Sequence, residues 1–122
     1  MIVGSVNRDL EAVVEIAVQD DKGEFHSFHC VLDTGFDGFI ALPAQVIQRL
    51  GLVQSEIRRT LLVDAVEIFF PLYWGTVNWC EEFLEVPVLG TEQDFLVGAA
   101  LLENSTLTVQ VWNSGDILVE PR

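Results

Sequence analysis

Apolar and polar residues alternate in short runs along most of the chain, and turn residues separate the runs. Alternation with a period of two is typical of strands that have one buried face. The first two runs flank Asp20-Asp21-Lys22-Gly23, a turn sequence that predicts a β-hairpin. The whole pattern predicts strands at 12–18, 25–32, 60–63, 67–70, 83–89, 94–97, 106–112 and 117–120.

Two short segments break this period and fit a helix instead. Pro43 precedes 44–50, whose apolar residues share one helical face, and Gly51 follows directly. Proline near the start and glycine just past the end are typical of a helix. A second short helix is predicted at 99–103. The predicted fold class is therefore all-β with one or two short helices.

An apolar run that ends at Leu32 leads directly into Asp33-Thr34-Gly35. A carboxylate at the end of a buried strand is costly unless hydrogen bonds or a partner relieve it, and chemistry is one explanation for such a residue. Thr34 offers a short hydroxyl that can bond to backbone, and Gly35 allows close approach because it has no Cβ. An ordinary turn uses the same residue types, so these three residues alone leave both interpretations open.

Two longer segments carry a specific resemblance. The segment 31–38, Val-Leu-Asp-Thr-Gly-Phe-Asp-Gly, resembles the active-site loop of the retropepsin-like aspartic proteases. The segment 95–102, Phe-Leu-Val-Gly-Ala-Ala-Leu-Leu, resembles the later apolar-apolar-Gly segment of that family, which a short helix follows. The motifs occur in the family's order, and the resemblance extends over 11–120. It implies a small closed β-barrel formed by residues 1–122 as a single domain.

The resemblance also implies roles for individual residues. Asp33, Thr34 and Gly35 match the catalytic triplet, in which the threonine hydroxyl bonds across a dimer. A hairpin with its tip at 64–66 is interpreted as a flap that would exclude water and order an extended peptide, with an ordinary core hairpin as the alternative. The implied substrate-binding residues are Phe36, Asp37, Gly38, Asp64, Ala65, Val66 and Gly98.

A single Asp-Thr-Gly occurs in the 122 residues, and no Asp-Ser-Gly. Aspartic protease chemistry needs two carboxylates that share a proton, whereas a chain of this length is one domain rather than two duplicated lobes. A homodimer would supply a second Asp33 across a twofold axis. The terminal segments 1–6 and 117–120 are candidate interface strands, and plain edge strands are the alternative.

The implied function is an aspartic endopeptidase that hydrolyses a peptide or protein substrate with an Asp-activated water and no cofactor. The chain departs from the retroviral pattern at Ala99, where an arginine that pairs with Asp37 is expected, and at Phe36, where a small residue is usual. Arg8 is a candidate to rebuild the ion pair. These departures support a second hypothesis, in which the chain is a noncatalytic dimeric or peptide-binding module with the same fold. A glycosidase that uses Asp33 and Asp37 is weaker, because both lie on one tight loop.

Composition narrows the class of partner. Hydrophobic residues make up 50% of the chain, enough for a core, yet no apolar run approaches the ~20 residues of a membrane helix. Nothing near Met1 resembles a secretory signal, so the cytoplasm is the expected location. Six Lys and Arg against 19 Asp and Glu give a net charge of −13. Nucleic acid and membrane surfaces are therefore not expected partners.

The cysteines and histidines suggest no further chemistry. Cys30 and Cys80 are few and far apart, so buried free thiols are predicted. His26 and His29 lie three residues apart on a predicted strand, which turns their side chains to opposite faces. No cysteine or carboxylate cluster in the sequence completes a ligand set around them, so no metal is expected.

Overall fold

The computed structural model describes residues 1–61 and 67–122, with side chains described for 1–55 and 70–122. Ten strands and two short helices follow one another along these residues. They are β1 Ile2–Val6, β2 Ala12–Gln19, β3 Phe25–Leu32, β4 Ile40–Pro43, α1 Ala44–Leu50, β5 Val53–Leu61, β6 Glu67–Trp79, β7 Glu82–Thr91, β8 Leu96–Val97, α2 Ala99–Leu102, β9 Ser105–Val109 and β10 Asp116–Pro121.

All ten strands belong to one sheet, in the order β5-β6-β7-β4-β8-β3-β2-β1-β10-β9. Strand β6 also pairs with β2, so the pairings run in a cycle through β6, β7, β4, β8, β3 and β2. Most neighbours are antiparallel, but β3–β8 and β4–β7 are parallel. The predicted mostly-β fold with two short helices is confirmed. Complete closure into a barrel stays a prediction, because the described pairings do not join β5 to β9.

The core lies on the inner face of this curved sheet. In β2 the side chains of Val14, Ile16 and Val18 are buried and alternate with more exposed neighbours. Val14 pairs with Cys30 on β3, so the same face of the next strand continues the core. Burying such side chains stabilises the fold by roughly 1.5–3 kcal/mol each. The period of two in the sequence therefore reports which face of each strand is buried.

Helix α1 has the bounds that the sequence predicts. Pro43 precedes it in an extended conformation, and its fixed φ suits the start of a helix. Gly51 ends it at φ 71°, and its N–H donates to the carbonyl oxygens of Ile47 and Gln48. The left-handed conformation costs glycine little conformational energy, since glycine has no Cβ. Ile47 and Leu50 face the core.

Several elements differ from the sequence-based prediction. Strand β4 was not predicted, because four consecutive buried residues show no alternation. The predicted strand at 106–112 ends at Val109, and 110–115 forms a loop. The turn between β6 and β7 uses Cys80 and Glu81 at φ 49° and 67°, in a left-handed conformation that usually indicates Asn or Gly. Without those residues the turn has no sequence signal.

The terminal strands lie inside the sheet. β1 pairs with β2 on one side and β10 on the other, and β10 pairs with β1 and β9. Of the two interpretations of 1–6 and 117–120, plain edge strands are wrong, because both strands already have neighbours on each side within the chain. Their role as interface strands stays a prediction. β5 and β9 are the ends of the described strand order. In the described part of the chain, no helix has the length and apolar content to cross a bilayer.

Candidate active site

Asp33 lies directly after β3, at the point where the chain leaves the sheet. Its N–H donates to the carbonyl oxygen of Val97 at 2.9 Å, which continues the β3–β8 pairing by one residue. Its own carbonyl oxygen accepts the N–H of Phe36 at 3.1 Å and closes a turn. Two neighbouring segments thus fix the backbone of Asp33, and its side chain is half-buried.

The carboxylate of Asp33 is held by its own loop. Oδ1 accepts the N–H of Gly35 at 2.9 Å, an interaction between residues two apart that is typical of an Asx turn. A Cβ on Gly35 would lie 3.2 Å from the same oxygen, so glycine permits the close approach. This bond orients the Asp33 side chain before any ligand arrives.

We call residues 33–39, between β3 and β4, the Asp33 loop. Three backbone hydrogen bonds join it to the start of α2. Gly98 N–H donates to Phe39 at 2.9 Å, Ala99 N–H to Phe36 at 2.8 Å, and Ala100 N–H to Gly38 at 3.1 Å. A Cβ on Gly98 would overlap the Gly38 carbonyl oxygen, so only glycine allows the two segments to lie this close. The close approach that the sequence predicts at Gly98 is confirmed.

The ring of Phe36 fills the space between the two segments. A Cβ on Gly38 would lie 2.6 Å from the ring's Cζ, and one on Gly98 would lie 2.7 Å from its Cδ2. Both glycines therefore make room for the aromatic side chain. Ala99, where the family resemblance predicts an arginine, contributes the backbone N–H that bonds to the Phe36 carbonyl oxygen. Aromatic packing and backbone hydrogen bonds hold this part of the loop.

A cleft of about 420 Å³ opens beside the loop that follows β3. Its lining begins at Phe36, three residues after Asp33 in the chain. Phe36, Asp37 and Gly38 form its loop side, and Asp37 is an exposed charge at the rim. The opposite wall consists of Leu72 on β6 and of Pro87 and Leu89 on β7, and Phe39 and Ile40 complete the lining. Most of these lining side chains are apolar, which suits a ligand with apolar groups.

The structure brings most of the predicted site residues together. Asp33, Thr34, Gly35, Phe36, Asp37 and Gly38 share one loop, and Gly98 contacts it. Thr34 is exposed. The predicted flap-tip residues Asp64, Ala65 and Val66 lie outside the described residues. The strands on either side of them pair antiparallel, from Val53 with Trp74 to Leu61 with Glu67.

Sequence reasoning missed the far wall of the cleft. Pro87 and Leu89 lie on the predicted strand 83–89, and Leu72 lies two residues past the predicted strand 67–70, yet nothing local distinguishes them from other apolar residues. Their place depends on the β6–β7 register, in which Leu72 pairs with Leu89. A proline inside a strand was the one unusual feature available, because proline removes a ladder hydrogen bond.

A second titratable group lies at the β2–β3 turn, far from Asp33. Asp20 Oδ1 accepts the N–H groups of Lys22 and Glu24, and Oδ2 is 2.7 Å from His26 Nε2. The hydrogen bond from His26, followed by that from Glu24, holds the pKa of the Asp20 carboxyl below its usual range. Asp20, Glu24 and His26 offer ligand atoms within 4.8 Å of one another, so carboxylates do lie beside this histidine, contrary to the sequence analysis. The hydrogen bonds of Asp20 account for the arrangement without an ion.

Both cysteines are free thiols. Cys30 is buried as predicted, and burial raises the pKa of its thiol to about 12. Cys80 is only half-buried, because it lies in the β6–β7 turn. A thiol with so high a pKa is inert as a nucleophile near neutral pH, so Cys30 acts as a small apolar core residue.

Comparison with known proteins identifies the fold. No family model matches the chain, and no curated protein matches it. Among solved structures, the chain is similar to a retropepsin-like aspartic protease from Rickettsia conorii, with a TM-score of 0.60 and 19% sequence identity. The match covers 97% of this chain and 88% of that one. The fold is therefore similar to that of a retropepsin-like protease along nearly its whole length.

Proposed function

We propose that this protein is a homodimeric aspartic endopeptidase in which Asp33 of each subunit forms the catalytic pair. The observation that carries the proposal is the position of Asp33: it follows β3 in a retropepsin-like fold, its carboxylate accepts the Gly35 N–H, and three bonds anchor its loop to α2. Residues 1–122 would act as one domain, with the sheet closed as a barrel.

The chemistry would be general acid–base hydrolysis. Two carboxylates about 3 Å apart across a twofold axis retain one proton between them, as in aspartic proteases generally. The ionised carboxylate takes a proton from water as the water oxygen attacks the peptide carbonyl carbon. The protonated carboxylate gives its proton to the carbonyl oxygen, which yields a neutral tetrahedral species. That species collapses when one of its hydroxyls returns a proton to the ionised carboxylate, the C–N bond breaks and the leaving nitrogen takes the proton of the other carboxylate, so the pair again holds one proton.

The cleft supports an extended peptide as substrate. Its lining of Phe36, Phe39, Leu72 and Leu89 would hold an apolar side chain next to the bond to be cleaved, and Asp37 would bind substrate backbone. The hairpin of β5 and β6 would close over the peptide as a flap, with Asp64, Ala65 and Val66 at its tip. Thr34 would bond across the dimer and hold the two loops together.

The test is mass-spectrometric detection of cleavage in a diverse peptide mixture between about pH 4 and 7. Wild type should cleave, and Asp33→Asn should lose at least about 1,000-fold in rate without loss of fold, because both carboxylates of the pair become amides that cannot accept the water's proton. Asp94→Asn, an exposed carboxylate away from the cleft, is the control and should retain full activity. Equal cleavage by wild type and Asp33→Asn would refute the proposal.

A noncatalytic peptide-binding dimer is the second candidate, and Phe36 is the observation that favours it. Its ring occupies space between Gly38 and Gly98 at the position where the family resemblance predicts a small residue. Peptides that bind without being cut, with equal affinity for wild type and Asp33→Asn, would support this module over the protease.

A further inference from the structure

Exposed apolar side chains flank the candidate active site. Leu10 is 56% exposed, Val111 60% and Trp112 58%, and all three lie in loops rather than strands. We call these three residues the flanking patch. Single exposed apolar residues are ordinary, but large ones that lie in adjacent loops beside a functional site indicate a binding surface.

The pairing registers place the flanking patch at the same end of the sheet as Asp33. Val31 of β3 pairs with Val13 of β2, and Ala12 pairs with Val6 of β1. The Val6 N–H donates to Gly115, which lies in the loop before β10. The loops 7–11 and 110–115 therefore leave the sheet beside the Asp33 loop. With β3 and β10 three strand spacings apart, the more distant loop lies about 14 Å from Asp33.

Hydrogen bonds hold both loops in shape. Asn7 Oδ1 accepts the N–H groups of Asp9 and Glu11, and Asn7 Nδ2 donates to the Glu11 side chain. Leu10 between them is left-handed, with φ 62°. Asn or Gly adopts that conformation at lower cost than leucine. In the isolated subunit Leu10 thus carries a conformational cost and buries little in return.

The Trp112 loop is equally well defined. Trp112 N–H donates to Gln110, Gly115 N–H donates to Trp112, and the Gln110 side chain accepts the N–H of Asp116. A Cβ on Gly115 would overlap the Gln110 carbonyl oxygen, so the loop is tightly closed. A preorganised loop presents its tryptophan with little loss of entropy on binding.

We propose that the flanking patch is part of the homodimer interface and that a second copy of this chain covers it. The inference rests on the proposed function, since the catalytic pair is incomplete in one subunit. A stable interface buries about 800 Å² on each partner, equivalent to a disc of about 16 Å radius. Centred on a twofold axis near Asp33, such a disc reaches both loops. The interior position of β1 and β10 leaves these loops, rather than terminal strands, to form the contact.

Self-association of the full chain tests the proposal, by sedimentation velocity over a concentration series. Trp112→Lys should raise the dimer Kd at least about 30-fold, because a buried tryptophan is a common hot spot of interfaces. Phe83→Lys is the matched control. Phe83 is 67% exposed and stacks on Phe25 at the opposite end of the sheet, so its replacement should leave the Kd unchanged within about threefold. Urea unfolding checks that both variants fold.

Leu10→Asn provides a second, independent readout. Asparagine suits the left-handed conformation, so this variant should unfold at higher urea concentration as a monomer, yet dimerise less tightly than wild type. A residue with a merely structural role would not move the two measurements in opposite directions. Unchanged dimer affinity in both Leu10→Asn and Trp112→Lys would overturn the proposed surface.

The outcomes separate this inference from the protease proposal. A wild-type dimer that Trp112→Lys disrupts, without peptide cleavage, would support the surface and refute the protease. A dimer that cleaves peptides and keeps its affinity in both Leu10→Asn and Trp112→Lys would support the protease and refute the surface. A wild type that remains monomeric at about 100 μM would overturn the surface.

Discussion

At the scale of single residues, the most informative position is Phe36. The family resemblance predicts a small residue there and an arginine at position 99, which would hold the loop through a charge on Asp37. The structure instead has the ring against Gly38 and Gly98, with backbone bonds to α2. Burial of the ring between the two glycines stabilises the loop without an arginine at position 99.

Phe36→Ala should destabilise the fold by about 2 kcal/mol, because the side chain is half-buried and its removal leaves a cavity between the two glycines. It should also widen the cleft. We therefore expect kcat/KM for peptides with bulky apolar side chains to rise relative to those with small ones. Urea unfolding and kinetics on matched peptides would measure the two effects.

Phe36→Leu is the control for that experiment, since it keeps an apolar group of similar reach. It should lose less than about 1 kcal/mol and show an intermediate preference. An unchanged peptide preference in both variants would mean that Phe36 lies outside the substrate's path and only supports the loop.

At the scale of elements, the β2–β3 turn combines a structural and an electrostatic role. Asp20 accepts two backbone N–H groups of the turn and contacts His26 on β3. These bonds lower the pKa of its carboxyl in the folded chain. Between that lowered pKa and the ordinary pKa of the unfolded chain, the unfolded chain therefore binds more protons than the folded chain. The resulting stability is present above the ordinary carboxyl range of about pH 4 and is lost as pH falls through the lowered pKa.

Replacement of the charge isolates this contribution. Asp20→Asn removes the charge but keeps an oxygen that can accept the turn's N–H groups. Because the charge is lost, the variant should be less stable than wild type at pH 6. Because the oxygen is kept, its stability should nearly equal that of wild type at pH 2, where Asp20 is protonated. Urea unfolding at the two pH values measures the difference. Asp94→Asn, in another exposed segment, should show no such pH dependence. A deficit that persists unchanged at pH 2 would assign the loss to geometry rather than charge.

The elements also show how far local pattern carries a prediction. Helix α1 was predicted to the residue, because Pro43 and Gly51 act on the helix ends through their own backbone. Strand β3 was likewise predicted at Phe25–Leu32. Strand β4 and the Cys80–Glu81 turn were missed. Burial on both faces removes alternation, and a left-handed turn without Asn or Gly has no signature.

At the scale of the whole molecule, the net charge of −13 opposes the proposed dimer. Two such subunits repel each other, and salt screens exposed charges over about 8–10 Å near physiological ionic strength. Self-association should therefore depend on the ionic strength of the solution, in the direction opposite to that of an interface dominated by ion pairs.

Raising NaCl from about 50 to 500 mM should tighten the dimer severalfold, measured by sedimentation velocity. Asp9→Asn, next to Leu10 in the flanking patch, should reduce that salt dependence, and Asp94→Asn should leave more of it intact. A dimer that weakens as salt rises would instead indicate attractive pairs across the interface, such as Arg8 with Asp37.

The sequence by itself determined what depends on near neighbours: the mostly-β class, both short helices, the β2–β3 hairpin, and an aspartate in a glycine turn after an apolar strand. Tertiary structure alone decided which distant segments meet. It placed β1 and β10 inside the sheet, paired Leu72 with Leu89 in one wall of the cleft, and brought Gly98 against Gly38. The physical reason is that turns and helix ends act through the local backbone, whereas register and strand order arise from packing between residues far apart in the chain.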